Sequence, residues 1–263
     1  TKTYNGLAYS GGNGVTYSGF VNGDTSAVIS GTPSYGGTSQ GAINAGAYTI
    51  TPSGLANGLG YNLSYTNGSL TVNPAPLTIT AATNTKIYDG GTSTSAVPTV
   101  TSGVLQGADS FTSLTESYDN KNVGSNKALI PAVVINDGNG GANYIVTLIN
   151  DTTGIITAAP LSITGVTASN KVYDATTTAT LSGGGIIPFG SDAVTLSTAG
   201  AIGSFADKNV GTAKTVTASG YTISGTDSGN YSLTQPTGLT ANITTAPLTI
   251  TAATNTKIYD GGT

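Results

Sequence analysis

The chain repeats itself over long distances. Residues 75–92 and 246–263 carry the same eighteen-residue sequence, APLTITAATNTKIYDGGT, 171 residues apart. A diverged copy, APLSITGVTASNKVYDATT, begins at Ala159, so the repeating unit is 84 to 87 residues long. Repetition at a fixed period indicates an array of small modules. Such an array usually provides length and multivalency rather than an active site.

Later landmarks recur in the same order and define the modules. A tyrosine stands at positions 4, 88, 173 and 259. About twenty residues later a Gly/Asp turn recurs, and a Lys-Asn-Val-Gly segment, an Asn-Tyr pair and a Thr-rich apolar segment follow it in the later modules. We therefore predict three modules, 1–74, 75–158 and 159–245, followed by the opening strand of a further repeat at 246–263. We expect the chain to be part of a longer array.

Composition excludes several classes of function. Only eight residues are basic, and the net charge is −4, which argues against nucleic acid as a partner. No apolar run approaches the roughly 18 residues of a membrane span. Histidine and cysteine are both absent, which removes the commonest general base and the thiolate nucleophile. We predict that the chain is not an enzyme and has no catalytic, cofactor-binding or metal-binding residues.

The apolar pattern indicates strands. Apolar and hydroxyl side chains alternate in Leu77-Thr78-Ile79-Thr80, and turn clusters separate such segments every eight to twelve residues. The pattern predicts a mostly antiparallel β module. After Asp109, the three-residue spacing of Phe111 and Leu114 is also compatible with one or two helical turns. Pro74 and Pro76 at the first module boundary favour an extended, semi-rigid connection, so we expect the modules to form a rod.

The tyrosines lie in a recurring motif, which reads Lys86-Ile87-Tyr88-Asp89-Gly90, Lys171-Val172-Tyr173-Asp174 and Lys257-Ile258-Tyr259-Asp260-Gly261. In these segments the chain resembles the tandem MBG and YDG modules of large bacterial exoproteins, the filamentous-haemagglutinin-like adhesins. The first module, with Tyr4-Asn5-Gly6, is closer to the MBG type, and Ala175 departs from the YDG pattern. The resemblance implies a β-grasp-like module with a short helix, although an immunoglobulin-like β-sandwich stays open. It also implies a place in the stalk of a secreted or surface-attached adhesin, outside the cell.

Two interpretations of the motif are open. Asp and Gly favour a turn, with the tyrosine ring packed and its hydroxyl in water. Alternatively, Tyr88 and Tyr173 are candidate ligand contacts that would stack on a sugar. We assign the following residues to the structural repeat motif: Tyr4, Asn5, Gly6, Tyr88, Asp89, Gly90, Tyr173, Asp174, Tyr259, Asp260, Gly261, Lys121, Asn122, Gly124, Lys208, Asn209 and Gly211.

Two further segments invite chemical hypotheses. The segments 121–124 and 208–211 favour a turn that leads into a strand, but a Lys–Asn isopeptide bond is an alternative, with Glu116 as the acid in the second module. Asp137-Gly138-Asn139-Gly140 is similar to part of a calcium loop, but the distal acidic ligand of such a loop is missing. We predict a turn there.

Three functions follow from these observations. The first is a non-enzymatic stalk or spacer of an adhesin that supports biofilm or host-surface attachment. The second is a module that binds exopolysaccharide, mucin or another surface glycan weakly, with repetition supplying avidity. The third is head-to-tail self-association into fibres, in which the opening strand at 246–258 complements a neighbouring chain.

Overall fold

The computed structural model describes residues 1–57 and 60–262, so Thr263, the last residue of the predicted segment 246–263, lies outside the described residues. Strands hold 48% of the chain and helices 2%, which confirms the predicted mostly β class. The helical residues of the described part are two single-turn 3-10 helices, Ser26–Val28 and Ser228–Asn230. The chain forms two compact units, one of residues 1–86 and 91–156 and one of residues 87–90 and 157–263.

The first unit contains the first eleven strands. Their bounds are β1 Lys2–Thr3, β2 Ile29–Gly36, β3 Gly46–Asn57, β4 Gly68–Asn73, β5 Ala75–Thr80, β6 Thr85–Ile87, β7 Thr99–Ser102, β8 Ser110–Tyr118, β9 Gly124–Asn136, β10 Tyr144–Ile149 and β11 Asp151–Thr157. The last residues of β6 and β11 already belong to the second unit.

The described strands of this unit form three sheets. The first has the order β1-β4-β3-β2, the second β10-β5-β7 and the third β6-β11-β9-β8. β1 pairs with β4 in parallel, and β10 pairs with β5 in parallel. β5 is therefore the central strand of its sheet, with β7 antiparallel on its other side.

The core of the first unit spans two predicted modules. Leu70 and Val72 of β4 lie in the same buried cluster as Leu77 and Ile79 of β5. β4 ends one residue before Pro74 and β5 begins one residue after it. Because apolar burial stabilises by about 25 cal/mol per Å², this shared cluster couples the first module to the second. The predicted boundary at residue 74 thus runs through a continuous core.

The second unit contains the remaining strands. Their bounds are β12 Ala159–Ser162, β13 Thr164–Ala168, β14 Lys171–Val172, β15 Thr178–Ala179, β16 Leu181–Gly185, β17 Thr195–Ser197, β18 Ile202–Phe205, β19 Gly211–Ser219, β20 Thr222–Ser224, β21 Tyr231–Thr234 and β22 Leu239–Thr244. Its largest sheet has the order β14-β22-β19-β18-β15. β12 pairs with β21 in parallel, as β5 does with β10.

The sequence left one segment ambiguous, and the structure resolves it. Residues 110–118 form β8, so the helical turn considered after Asp109 is not formed. The register of β8 against β9 shifts between Phe111 and Ser113. This bulge inserts one residue into the alternation, which gives Phe111 and Leu114 a spacing that imitates a helix. The β-grasp-like and immunoglobulin-like alternatives stay predictions.

Candidate functional site

The tyrosine motif forms a tight turn clamped by its own lysine. In every copy the lysine ammonium donates a hydrogen bond to the carbonyl oxygen five residues later. The pairs are Lys2–Leu7 at 2.7 Å, Lys86–Gly91 at 2.8 Å, Lys171–Thr176 at 2.8 Å and Lys257–Gly262 at 3.4 Å. The motif lysine therefore closes the turn, a role that the sequence did not reveal.

The acidic or amide residue of the motif completes the turn. The side chains of Asn5, Asp174 and Asp260 accept a hydrogen bond from the backbone N–H two residues later. The following residue has a left-handed backbone, with φ of +71° at Gly6, +81° at Gly90, +64° at Ala175 and +75° at Gly261. Ala175 thus adopts the glycine conformation despite its Cβ. The hydrogen-bonded Lys171 ammonium, together with the N–H and hydroxyl of Thr176, lowers the pKa of Asp174 to about 2.

The turn places each tyrosine just beyond a closing strand. The backbone N–H of Tyr4 donates to the carbonyl of Asn73, that of Tyr88 to Thr157 and that of Tyr173 to Thr244, at 2.7 to 2.9 Å. These acceptors are the last residues of β4, β11 and β22. Each tyrosine side chain is thereby positioned at the end of the module in which it began.

In the first unit, Tyr4 inserts into the second module. Its hydroxyl donates to Asp109 Oδ2 at 2.9 Å, and the hydroxyl of Tyr144 donates to the same oxygen at 2.6 Å. The two rings meet edge to face, 5.6 Å apart. The backbone N–H of Gln106 donates to the Tyr144 hydroxyl at 2.7 Å. We call these three side chains, two tyrosines and one aspartate, the junction triad.

The second unit contains the same junction triad. Tyr88 and Tyr231 both donate to Asp192 Oδ2, at 2.5 and 2.7 Å, and their rings lie 5.4 Å apart. The N–H of Phe189 donates to the Tyr231 hydroxyl at 2.8 Å. The three positions follow those of the first triad by 84, 83 and 87 residues. One constellation is thus built twice from the same landmarks of the repeat.

Burial and hydrogen bonds to carboxylates raise the pKa of three of the triad tyrosines. Burial, followed by the hydrogen bond to Asp109, raises the pKa of Tyr4 to about 12. Burial and the hydrogen bond to Asp192 raise the pKa of Tyr231 to about 12. Burial and the hydrogen bond to Asp109 also raise the pKa of Tyr144. The hydroxyls of Tyr4, Tyr144 and Tyr231 therefore stay hydrogen-bond donors throughout the neutral range.

The first module contains two members of a triad. Tyr61 donates to Asp24 Oδ2 at 2.7 Å, and the N–H of Val21 donates to the Tyr61 hydroxyl at 3.2 Å. Phe20 packs edge to face on Tyr61, with ring centroids 5.8 Å apart. These residues occupy the positions that Asp109, Tyr144 and Gln106 hold 83 to 85 residues later.

A second set of contacts joins the first two modules. Asn143 is fully buried; its side-chain oxygen accepts from the N–H of Ala45 at 2.8 Å, and its amide donates to Asn44 Oδ1 at 3.1 Å. The sequence showed Asn143 as a repeat landmark but gave no sign of this contact. A shallow cleft of about 440 Å³ lies beside it. Its lining includes Tyr4, Asn44, Tyr48, Gln106, Asp109 and Asp137.

The Asp137 loop is a turn in which the Asp137 carboxylate accepts hydrogen bonds from backbone N–H groups. Asp137 Oδ1 accepts from the N–H groups of Asn139 and Gly141, and Oδ2 accepts from the N–H of Asn143. Although burial acts to raise it, these hydrogen bonds lower the pKa of Asp137. Among the described residues, no group of three or more His, Cys, Asp or Glu side chains could hold a metal ion.

The Lys-Asn-Val-Gly segments lie in loops that lead into β9 and β19. Lys208 and Asn209 are exposed. Glu116, considered above as an acid for an isopeptide bond, is buried in β8 and accepts from the N–H of Ala82 at 2.8 Å. Nearby, Lys127 pairs with Asp119 at 3.3 Å and Lys214 pairs with Asp207 at 2.7 Å. The isopeptide hypothesis stays a prediction.

The two candidate ligand contacts, Tyr88 and Tyr173, differ in their burial and surroundings. Tyr88 is 1% exposed inside its triad, so a ligand could reach its ring only if the junction opened. Tyr173 is half-buried and packs against a buried apolar cluster of the second unit that contains Phe205 and Val216. Ligand contact through either residue stays a prediction.

Family models match almost the whole chain. The YDG domain matches residues 73–154 and again residues 157–238, and the MBG domain (YGX type) matches residues 1–71. The chain belongs to the YDG domain family. Its YDG domains are tandem and follow an MBG domain, as the motif resemblance predicted. No curated protein and no solved structure matches the chain. No helix among the described residues has the length and apolar character to cross a membrane.

Proposed function

We propose that this MBG–YDG chain is a non-enzymatic stalk segment of a bacterial adhesin, located outside the cell, that supports biofilm or host-surface attachment. The observation that carries the proposal is the repeated junction triad. Tyr4 and Tyr88 each leave their own module and are buried against the aspartate and tyrosine of the following repeat. A spacer needs such module-to-module contacts, because flexibly linked modules would collapse rather than extend.

The chain's connections support the same proposal. β4 continues into β5 with Pro74 as the only intervening residue, and both strands contribute to one core. Proline fixes φ and favours an extended predecessor. A strand that runs from one module into the next through proline resists bending at the boundary.

The chemistry of the carboxylates supports a non-enzymatic role. The sequence has no His or Cys. Asp109 and Asp192 each accept two tyrosine hydroxyls, and Asp137 accepts three backbone N–H groups. General acid or base catalysis needs a carboxyl group that is free to exchange a proton with a substrate, and these carboxyls are engaged by hydrogen-bond donors of the fold.

Small-angle X-ray scattering tests the stalk proposal. The chain is compared with a longer chain in which residues 75–245 are duplicated, which adds two modules. Since a ten-residue strand spans roughly 33 Å, we expect the maximum dimension to rise by several nanometres. Asp109→Ala, which removes a triad acceptor, should give a scattering profile typical of a more flexible chain. An unchanged maximum dimension in the longer chain would contradict a spacer role.

A second candidate function is glycan binding, favoured by the cleft beside Asn143. Its lining combines a tyrosine ring, amides and a carboxylate, which are the groups that contact sugars: Tyr48, Asn44, Gln106 and Asp109. The test is a binding screen of the folded chain against mucins and bacterial exopolysaccharides. Saturable binding that Tyr48→Ala abolishes, and that Tyr173→Ala leaves intact, would place the ligand in this cleft. Absence of binding by a folded chain would remove this candidate.

A further inference from the structure

The chain enters and leaves the second module through strands that run in the same direction. At the start of the module, β5 pairs in parallel with β10 along the whole of both strands. Farther along, the N–H of Ile155 donates to the carbonyl of Asn84 and the N–H of Tyr88 donates to the carbonyl of Thr157, so β6 advances in the same direction as β11. We call these two stretches the opening segment, residues 75–88, and the closing segment, residues 144–157.

The third module repeats this arrangement. β12 pairs in parallel with β21, and β14 pairs in parallel with β22. The N–H of Tyr173 donates to the carbonyl of Thr244, as that of Tyr88 does to Thr157. The opening segment of this module is therefore 159–173, and its closing segment is 231–244. The parallel pairing of opening and closing segments is thus a property of the repeat.

This pairing determines how tension acts on a module. Tension along the chain pulls the opening segment by its N-terminal end and the closing segment by its C-terminal end. Because the two segments are adjacent and parallel, these ends lie at opposite ends of the pair. The pull therefore slides one segment along the other and strains all the hydrogen bonds between them together. In an antiparallel hairpin pulled at its open end, the bonds would break one pair after another.

Buried side chains oppose the sliding of the opening segment. Leu77 and Ile79 of the second module are fully buried, and so is Leu161 of the third. Tyr88 ends the second module's opening segment, and its hydroxyl donates to Asp192 within the junction triad. If the opening segment slides toward its N-terminal end, it draws Tyr88 out of this triad. The triad tyrosine therefore anchors the segment.

We propose that the second and third modules resist tension along the chain through shear between their opening and closing segments, and that Tyr88 anchors the opening segment of the second module. This inference deepens the stalk proposal and rests on it, because a stalk transmits force between a surface and whatever its parent protein holds. Scattering reports the length that the modules add, whereas rupture force reports their strength. Either proposal can therefore fail without the other.

Single-molecule force spectroscopy along two directions tests the proposal. The chain has no cysteine, so an introduced pair defines where the force acts. Thr157→Cys with Thr245→Cys pulls the third module through its ends. Ile202→Cys with Ser219→Cys pulls β18 away from β19, because these residues lie opposite each other at one end of an antiparallel pair. All four side chains are exposed.

The two directions should differ in rupture force. Rupture through the module ends should release roughly 30 nm of chain, because the repeating unit has 84 to 87 residues. Forced unfolding is governed by the barrier that the pull must cross, so this rupture should need at least about twice the force that separates β18 from β19. Equal rupture forces in the two directions would overturn the proposal.

A matched pair of core substitutions tests where the resistance lies. Leu161→Ala acts in β12 of the opening segment. Leu196→Ala makes the same change in β17, which pairs with β20 and with neither segment. Urea denaturation measures the stability that each variant loses, and both are pulled through residues 157 and 245. For an equal loss of stability, Leu161→Ala should lower the rupture force more. If Leu196→Ala lowers it as much or more, the resistance does not lie between the segments.

The anchor is tested in the second module. Asn73→Cys with Thr157→Cys pulls this module through its ends, and Tyr88→Phe should lower its rupture force. Tyr231→Phe is the matched control, because it removes the other hydroxyl from the same Asp192 oxygen but belongs to the third module. It should leave the rupture force of the second module closer to that of the wild type. A Tyr88→Phe chain that ruptures at the wild-type force would overturn the role of Tyr88 as an anchor.

Discussion

Removal of the shared acceptor of a junction triad should destabilise the first unit. Asp109 Oδ2 accepts the hydroxyls of Tyr4 at 2.9 Å and Tyr144 at 2.6 Å. A hydrogen bond to a charged group contributes about 1.5–3 kcal/mol, and the lower value applies because Asp109 is half-buried. Asp109→Ala should therefore cost about 3 kcal/mol. Tyr4→Phe, which removes one bond and leaves the acceptor in place, should cost about half as much.

Two measurements check these magnitudes. Urea denaturation gives the change in the free energy of unfolding. Hydrogen exchange at the Gln106 amide reports the triad directly, because this N–H donates to the Tyr144 hydroxyl. A loss of about 3 kcal/mol should speed its exchange roughly 100-fold if exchange occurs through opening of the junction.

The second triad provides a matched control. Asp109→Ala should leave exchange at the Phe189 amide unchanged, and Asp192→Ala should accelerate it, because that N–H donates to Tyr231. The reasoning fails if Asp109→Ala costs less than about 1 kcal/mol, or if the Gln106 amide exchanges at the wild-type rate.

Three further predictions concern pH, the backbone and metal. Because Tyr4 and Tyr231 have raised pKa values of about 12, their contribution to stability is complete below pH 10 and is lost as the pH rises from 10 through 12. Urea unfolding between pH 8 and 12 should therefore show a fall in the free energy of unfolding above pH 10. A free energy of unfolding that does not change over this range would contradict the prediction. Ala175→Gly should stabilise the second unit by about 1 kcal/mol in thermal unfolding, because φ is +64° at this position. Gly90→Ala, the opposite substitution at the equivalent position of another motif, should destabilise the second unit, because the new Cβ would lie 3.3 Å from the Cβ of Phe189. Asp137→Ala should lower the free energy of unfolding by about 2–3 kcal/mol, because it leaves three backbone N–H groups without their acceptor. Calcium should leave the melting temperature of the wild-type chain unchanged, and a rise in the melting temperature with calcium would contradict the assignment of this loop as a turn.

The sequence predicted the repeats and most strands because both leave short-range signals. Leu77 and Ile79 alternate with threonines, and both are buried in β5. The local pattern failed after Asp109, where a bulge in β8 shifted the alternation by one residue. A one-residue insertion cannot be distinguished from a helical period over so short a segment.

Local sequence patterns could not predict the junction triad. Tyr4 and Asp109 are 105 residues apart, and Tyr88 and Asp192 are 104 apart. Each member is a landmark of the repeat, but the partners of Tyr4 and Tyr88 lie in the next repeat rather than in their own. Their common period was the available signal, since residues that recur in phase across a boundary are candidates for contact across it.

The division of each triad between successive repeats bears on how such a gene can change. The donor tyrosine is encoded in one repeat, and the aspartate and second tyrosine are encoded in the next. A duplication of residues 75–245 would place a new Asp109–Tyr144 pair in phase behind Tyr173, which is half-buried in the present chain. Unequal recombination between the two identical eighteen-residue segments could therefore lengthen the protein without the evolution of a new interface.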